Sequence, residues 1–361
     1  MSYCDSVQSA GPNLAGESMF LNDAWYVAEL SSALGAGLAS VRVLGRSLVL
    51  YRLSDGTVAA LEDACPHRKL PLSMGQRRGD LVECGYHGMT FDAAGRCLRV
   101  PGNQPIPESA RVRSFPAVER QGFIWVWMGA PERADPAAIF DIEHWNHPEW
   151  GRTEPDAMVV RCSYLHITDN LLDPTHVAWV HPGSFGEQAC EQTPLQTVAS
   201  STGVVVSRWM LGVDVAPFYA PYVRFAGQAD RQQHYEVRFP SHACIRAVFA
   251  PVGSAGTASV EAHPDTFVMD SYNFLTPIDE RTTRYFWVQT RNFAPGDANV
   301  SRQFAASVRA AFDEDKVVLE AVQVGIENAR SPLQPLYIDA GPARFRRELQ
   351  RRIEAESNAD G

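Results

Sequence analysis

From Trp25 onward, apolar residues come in short runs at strand spacing, separated by turn residues. Val43-Leu44 and Leu48 to Tyr51 flank Gly45-Arg46, a hairpin signal, and Val58 to Leu61 follows Asp55-Gly56. Leu81-Val82, a hairpin at Phe91/Gly95/Leu98, and Phe123 to Trp127 continue the series. This spacing predicts a small all-β domain over residues 19–130, with a surface loop at Pro101 to Pro107 and a linker at Pro131 to Pro136. Residues 1–18, small and polar, read as a flexible leader. Strand-like runs return at Gly203 to Trp209, His234 to Phe239, Ala243 to Ala250 and Thr283 to Thr290. Ser301 to Ala329 contains no proline and predicts a long helix. One antiparallel sheet with long helices is therefore expected over residues 137–361, and the class as a whole is α+β.

That helix carries an anomaly. At 100° per residue, Phe304, Val308, Ala311, Val318, Val322 and Ile326 share one stripe, and Asp315 falls in its middle. Asp313 lies on the opposite face and Glu314 on the flank. A carboxylate directed into a core must be paired or must coordinate a cation, because burying it bare costs too much. A buried ion pair and a metal ligand both satisfy that demand.

A second anomaly is the stretch Asn170 to His181, Asn-Leu-Leu-Asp-Pro-Thr-His-Val-Ala-Trp-Val-His. On a helix, Asp173 and His176 would share a face. His181 would lie far round, but Pro182-Gly183 can open the last turn and bring it back. Two imidazoles and one carboxylate make the face that holds Fe(II) with open positions; a pair of packed core histidines is the plain alternative. A third cluster lies in the β domain, where Cys65-Pro66-His67 is followed after sixteen residues by Cys84-Gly85-Tyr86-His87. A structural zinc would accept two sulfurs and two nitrogens. A Rieske [2Fe-2S] centre, with both cysteines on one iron and both histidines on the other, fits the Cys-x-His and Cys-x-x-His halves better.

Composition narrows the partners. The chain has 361 residues, a net charge of −10 and a pI near 5.5, against nucleic-acid or anionic-membrane binding. No apolar run approaches a membrane span, and seven scattered cysteines fit a reducing cytoplasm. Neither a flavin nor a nicotinamide motif is visible, so electrons from NAD(P)H would arrive through a separate flavin or ferredoxin reductase. Arg68, Lys69, Arg77 and Arg78 make the cluster loops basic in an acidic protein, a means of steering an acidic reductase.

The chain resembles the Rieske non-haem iron oxygenases, and most the oxygenase component of vanillate O-demethylase and related aromatic-acid demethylases. The resemblance runs from about Met19 to about Leu349. It rests on residues 22–28 (Asn-Asp-Ala-Trp-Tyr-Val-Ala), 62–68 (Glu-Asp-Ala-Cys-Pro-His-Arg), 84–88 (Cys-Gly-Tyr-His-Gly), 122–127 (Gly-Phe-Ile-Trp-Val-Trp), 169–176 (Asp-Asn-Leu-Leu-Asp-Pro-Thr-His) and 338–341 (Ile-Asp-Ala-Gly). Two departures are Lys69, where the family usually has Gly, and Met89, where many members have Trp.

The resemblance implies a Rieske domain followed by a helix-grip catalytic domain, a homotrimeric ring, and His176, His181 and Asp315 as the Fe(II) ligands. It implies that Asp173 bridges a cluster histidine of one subunit to an iron histidine of the next; a carboxylate stabilised at a helix N-terminus is the plain reading. Asn170 matches a position beside the iron, and Asn273 one that contacts substrate. The expected substrate is a small aromatic acid such as vanillate, oxidised with O2 by O-demethylation, with ring hydroxylation or N-demethylation of another ring compound as the alternative.

Overall fold

The computed structural model describes residues 19–257, 260–261 and 263–360. The leader expected over residues 1–18 lies outside them. The described chain forms two compact units, one of residues 20–141 with 276–280, the other of 142–275 with 281–360 and Met19.

The first unit is all β. Trp25–Leu30, Phe123–Trp127 and Ala117–Arg120 form a three-stranded sheet. Ala39–Val43, Arg46–Arg52, Val58–Glu62 and Ser114–Phe115 form a second sheet, and Gln76–Arg78, Leu81–Glu83, Thr90–Phe91 and Cys97–Arg99 a third. The hairpin expected at Gly45 turns on Leu44 and Gly45, at φ +50° and +76°, the left-handed pair that matches the twist of tight hairpins. Two cores fill the unit. Tyr26, Leu48, Leu50 and Val126 pack in one, while Val49, Tyr51, Leu61 and Phe91 join Cys65, Cys84 and Met89 in the other. Adjacent residues of Arg46–Arg52 thus feed different cores, which is why that strand reads as continuous apolar sequence.

The second unit holds an eight-stranded antiparallel sheet. Its order is Gly151–Arg152, Thr282–Arg291, Phe267–Asp279, His242–Pro251, Ala229–Arg238, Gly203–Val213 and Gln196–Ala199, with Asp156–Val160 also pairing Thr282–Arg291. Among the described residues five α-helices accompany it: α1 (Tyr164–Leu171), α2 (Val177–Val180), α3 (Ala189–Gln192), α4 (Ala298–Asn328) and α5 (Ala340–Asp360). Asp297 caps α4 by accepting from the amides of Asn299 and Val300. Ile245, Met269 and Asn273 of the sheet line the same cavity as Val308, Ala311 and Phe312 of α4, so the sheet grips the helix as expected.

Two expectations need correction. The buried line of α4 is Phe304, Val308, Ala311, Asp315 and Leu319, and there it stops. Val318, Val322 and Ile326 are each about 40% exposed. Past Leu319 the helix engages its neighbours through polar groups instead, Glu320 and Gln323 accepting from the amides of Arg161 and Ser163. The stretch from Asn170 to His181 is not one helix either. α1 ends at Leu171, and Pro174 forbids its continuation, so Asp173 and His176 do not share a helical face.

Candidate active site

The two cysteine–histidine loops of the first unit are built alike. In the first, the Cys65 amide donates to Leu70 O and Lys69 N donates to Cys65 O; in the second, Cys84 N donates to Met89 O and Gly88 N to Cys84 O. The residue four past each cysteine must adopt positive φ, +61° at Lys69 and +70° at Gly88. A glycine takes this backbone state without strain, so the departure at Lys69 places a lysine in a strained conformation. Buried Asp63 fastens the first loop, accepting from Ser73 N at 2.7 Å and from the hydroxyls of Ser40 and Ser73.

Both thiols are buried, at 2% and 3% exposure, and burial pushes the Cys65 thiol up. Both imidazoles are exposed, with their Nδ1 atoms 3.2 Å apart. Two inner sulfurs and two outer, convergent ring nitrogens are the donor set of a Rieske cluster, and the residues fit it. Tyr86 stacks on His87 with ring centroids 4.0 Å apart, and the Arg68 guanidinium lies 5.9 Å from the Tyr86 centroid. Met89, standing in place of tryptophan, is buried in the core beneath the loops.

In the second unit, His176, His181 and Asp315 converge, each offering one ligand atom within 4.8 Å of the others. His176 Nε2 lies 3.6 Å and His181 Nε2 3.2 Å from Asp315 Oδ1. The opposite ring nitrogens are anchored: His176 Nδ1 donates to the Asp173 carbonyl, and His181 Nδ1 to Glu314 Oε2 at 2.6 Å. With Nδ1 carrying the proton, both Nε2 lone pairs face a carboxylate oxygen, an electron-rich pocket suited to a cation. Burial resists charge on His181, yet Asp315 and Glu314 outweigh it and hold the imidazole above its ordinary value. That field favours positive charge, and the donor set fits Fe(II) with open positions. Asn170 Nδ2 donates to Asp315 Oδ1 at 3.1 Å and so holds the carboxylate.

Three arginines fix the chain that carries the histidines. Arg346 binds Asp169 at the end of α1, Arg208 donates to Pro174 O at 2.9 Å, and Arg231 donates to Glu187 and to Phe185 O. Asp173 is half-buried; its Oδ1 accepts from Thr175 N at 2.9 Å, and with exposed Trp179 and Tyr337 it borders a surface recess that His176 also lines. Asp173 therefore closes a turn between α1 and α2 and does not cap a helix: α2 has His176 at its N-cap and no side-chain cap.

A cavity open to solvent on one side lies over the triad. Phe185, Tyr219, Phe312, Ile245 and Met269 give it an apolar lining suited to a small ring. Asn273 lines it and is fully buried; its Nδ2 donates to Ser271 O and its Oδ1 accepts from Tyr285 at 2.9 Å. Burial pushes the Tyr285 phenol far up, so it stays a neutral donor. Sequence reading placed Glu314 only on the flank of the helix and passed over Arg231. The signal for Glu314 was its place beside Asp315. For Arg231 it was the alternation Arg231, Gln233, Tyr235, Val237 on the inward strand face.

Two metal sites of these kinds in one chain define a Rieske-type oxygenase, and the comparisons agree. Residues 24–116 match the Rieske [2Fe-2S] domain family, and residues 160–355 the vanillate O-demethylase oxygenase C-terminal domain. The chain belongs to the Rieske non-haem iron oxygenases of the vanillate O-demethylase type, the oxygenase components of multicomponent monooxygenases.

It is 35% identical over 344 residues to a toluene-4-sulfonate monooxygenase system iron-sulfur subunit of Comamonas testosteroni, covering 94% of this chain and 99% of that one. It is also 35% identical to a vanillate O-demethylase oxygenase subunit of a Pseudomonas species, covering 94% and 97%. The crystal structure of dicamba monooxygenase bound to 3,6-dichlorosalicylic acid superposes with a TM-score of 0.84 at 30% identity, covering 94% of this chain and 99% of that one. Another dicamba monooxygenase structure contains non-haem iron. Among the described residues no helix is long and apolar enough to cross a membrane.

Proposed function

We propose that the chain oxidises a small aromatic acid, most simply by demethylating an aryl methyl ether. His176, His181 and Asp315 hold the mononuclear iron, and Cys65, His67, Cys84 and His87 hold the cluster. The observation that carries this reading is the convergence of two lone-pair-bearing Nε2 atoms and Asp315 Oδ1 at one wall of an aromatic-lined cavity. When bound, the irons supply electron transfer and O2 activation. The chain's own residues set the geometry. Glu314 and the Asp173 carbonyl keep both imidazole protons on Nδ1, Asn170 fixes Asp315, and the apolar walls exclude water from the ring.

Hydroxylation of the methyl carbon consumes one O2 and one NAD(P)H with a proton. It yields a hemiacetal and water, and the hemiacetal collapses to a phenol and formaldehyde. The kinship to a toluene-4-sulfonate monooxygenase subunit favours a second reading, methyl hydroxylation of a sulfonated or carboxylated ring. Stoichiometric formaldehyde from a methoxybenzoate panel, with a generic reductase, supports demethylation. An alcohol product from methylbenzoates or toluenesulfonate supports the second reading.

Electrons enter from a separate reductase at the exposed imidazoles. Arg68 and Lys69 form no ion pair among the described residues, whereas Arg78 is paired with Glu83 at 3.3 Å and Arg77 lies 4.0 Å from Asp80. Steering by an acidic partner therefore falls chiefly to Arg68 and Lys69. A reductase kcat/KM insensitive to salt and to charge reversal at these two positions overturns that role. Three copies form the working ring, with the free oxygen of Asp173 reaching a cluster histidine of the neighbouring subunit. A sedimentation mass of a monomer in the active enzyme overturns the ring.

A further inference from the structure

The cavity lining contains one permanent cation. Arg231 sits on the inward face of Ala229–Arg238, 1% exposed, and burial does not discharge it because Glu187 lies 2.7 Å from Nη1. Its guanidinium is flanked by aromatic faces, 5.4 Å from the Tyr219 centroid and 5.0 Å from the Phe249 centroid. Nη1 donates to Glu187 and to Cys190 Sγ, and Nη2 donates to Phe185 O. Nε is buried and has no acceptor among the described residues. A buried N–H without an acceptor is costly, so each such group calls for a reason.

The neighbouring arginines show what is particular here. Arg208 is buried as well, and all three of its nitrogens are used, on Gln233 Oε1, Thr193 O and Pro174 O. Arg291 leaves nitrogens unpartnered, but it does not line the cavity over the triad. Among the described residues, Arg231 is the one arginine that both lines that cavity and keeps an orphan guanidinium donor.

We infer that Arg231 seats the anionic group of the substrate, a ring carboxylate or sulfonate, through its unpartnered Nε edge, and so selects aromatic acids over their neutral analogues. This rests on the reading of the cavity as the substrate site. Glu187 holds the other edge of the guanidinium and keeps the fork oriented, and Asn273 contributes an amide fixed by Ser271 and Tyr285. The aromatic faces of Tyr219 and Phe249 hold the guanidinium plane between them.

The test is equilibrium binding to the metal-loaded enzyme by calorimetry. The probes are methoxybenzoates, toluene-4-sulfonate and the matching neutral benzamides and sulfonamides. Wild type is expected to favour acid over amide by about 10- to 100-fold, the weight of one charge-assisted hydrogen-bonded contact. Arg231→Gln is expected to erase that preference by weakening the acids more than the amides, beyond any common loss that follows from releasing Phe185 and Glu187. Because Arg231 also ties down Phe185 and Glu187, Glu187→Gln is the companion variant. It frees the cation without removing it, so acid affinity is retained or rises, whereas a merely structural role predicts that both variants weaken acids and amides alike.

Equal binding of acid and amide by wild type, parallel losses in both variants, or no acid probe bound overturns the inference. If probes bind without discrimination and turnover still depends on Asp315, only the assignment of Arg231 fails. If turnover survives Asp315→Ala, the reading of the cavity fails with it.

Discussion

Cys65, His67, Cys84 and His87 sit on two short loops, each closed by backbone hydrogen bonds between a cysteine and residues four and five further on. His176, His181 and Asp315 come instead from a broken helical segment and from the middle of α4, about 140 residues away in sequence. Arginines from elsewhere in the unit, Arg208, Arg231 and Arg346, hold the histidine segment in place. The cluster loops expose their imidazoles, while His181 and Asp315 are buried. A site that must pass electrons to a partner is local and exposed. A site that must hold a small molecule away from water is assembled from distant parts and enclosed. The first kind tolerates change around it; the second depends on every support.

The largest effects should separate the two sites. Asp315→Ala is expected to abolish turnover and remove about one iron in three per chain, leaving the visible and EPR spectrum of the cluster unchanged. Loss of the cluster signal in that variant would show that the sites are not independent. The converse change, Cys84→Ser, should bleach the cluster while iron at the triad persists.

A smaller effect is expected at Asp173. His176 is anchored by the main-chain carbonyl of that residue, so Asp173→Asn should leave both metals bound and yet slow turnover by about 10- to 100-fold. Turnover at the wild-type rate, with full iron and sulfide, removes the bridging role. Glu314→Gln should weaken metal binding at the triad by about 10-fold, read by competition for Co(II) or Fe(II). Unchanged affinity would mean that the His181–Glu314 bond does not orient the ligand.

The smallest effect belongs to the first unit. Lys69→Gly relieves a left-handed residue at φ +61° and should stabilise the unit by about 1 kcal/mol, seen as a rise in its unfolding midpoint. If the midpoint does not rise, the loop carries no strain at this position.

Legibility in the sequence divided along the same line. The cluster loops could be read directly, because each ligand pair and the turn that presents it occupy a few consecutive residues. Asp315 was half legible: its place among Phe304, Val308 and Ala311 showed a carboxylate entering a core. Only the resemblance distinguished a metal ligand from an ion pair. The continuous helix drawn through Asp173 and His176 was an error of local reasoning. Pro174 stood in plain view, but the turn it creates is stabilised by Arg208, thirty-four residues on.

By itself the sequence determined the features that near neighbours dictate. Those are the two-part architecture, the strand runs of the first unit, the long helix α4, the residue types able to bind two kinds of iron centre, and the anionic character of the chain. Tertiary structure alone decided which nitrogen of His176 and of His181 is free, that Glu314 serves His181, that Asn170 holds Asp315, and that Arg231 lines the cavity while its buried Nε has no acceptor among the described residues. The reason is physical. Periodicity and turn chemistry act over a few residues, whereas hydrogen-bond partners and burial are set by segments that meet only when the sheet closes on the helix.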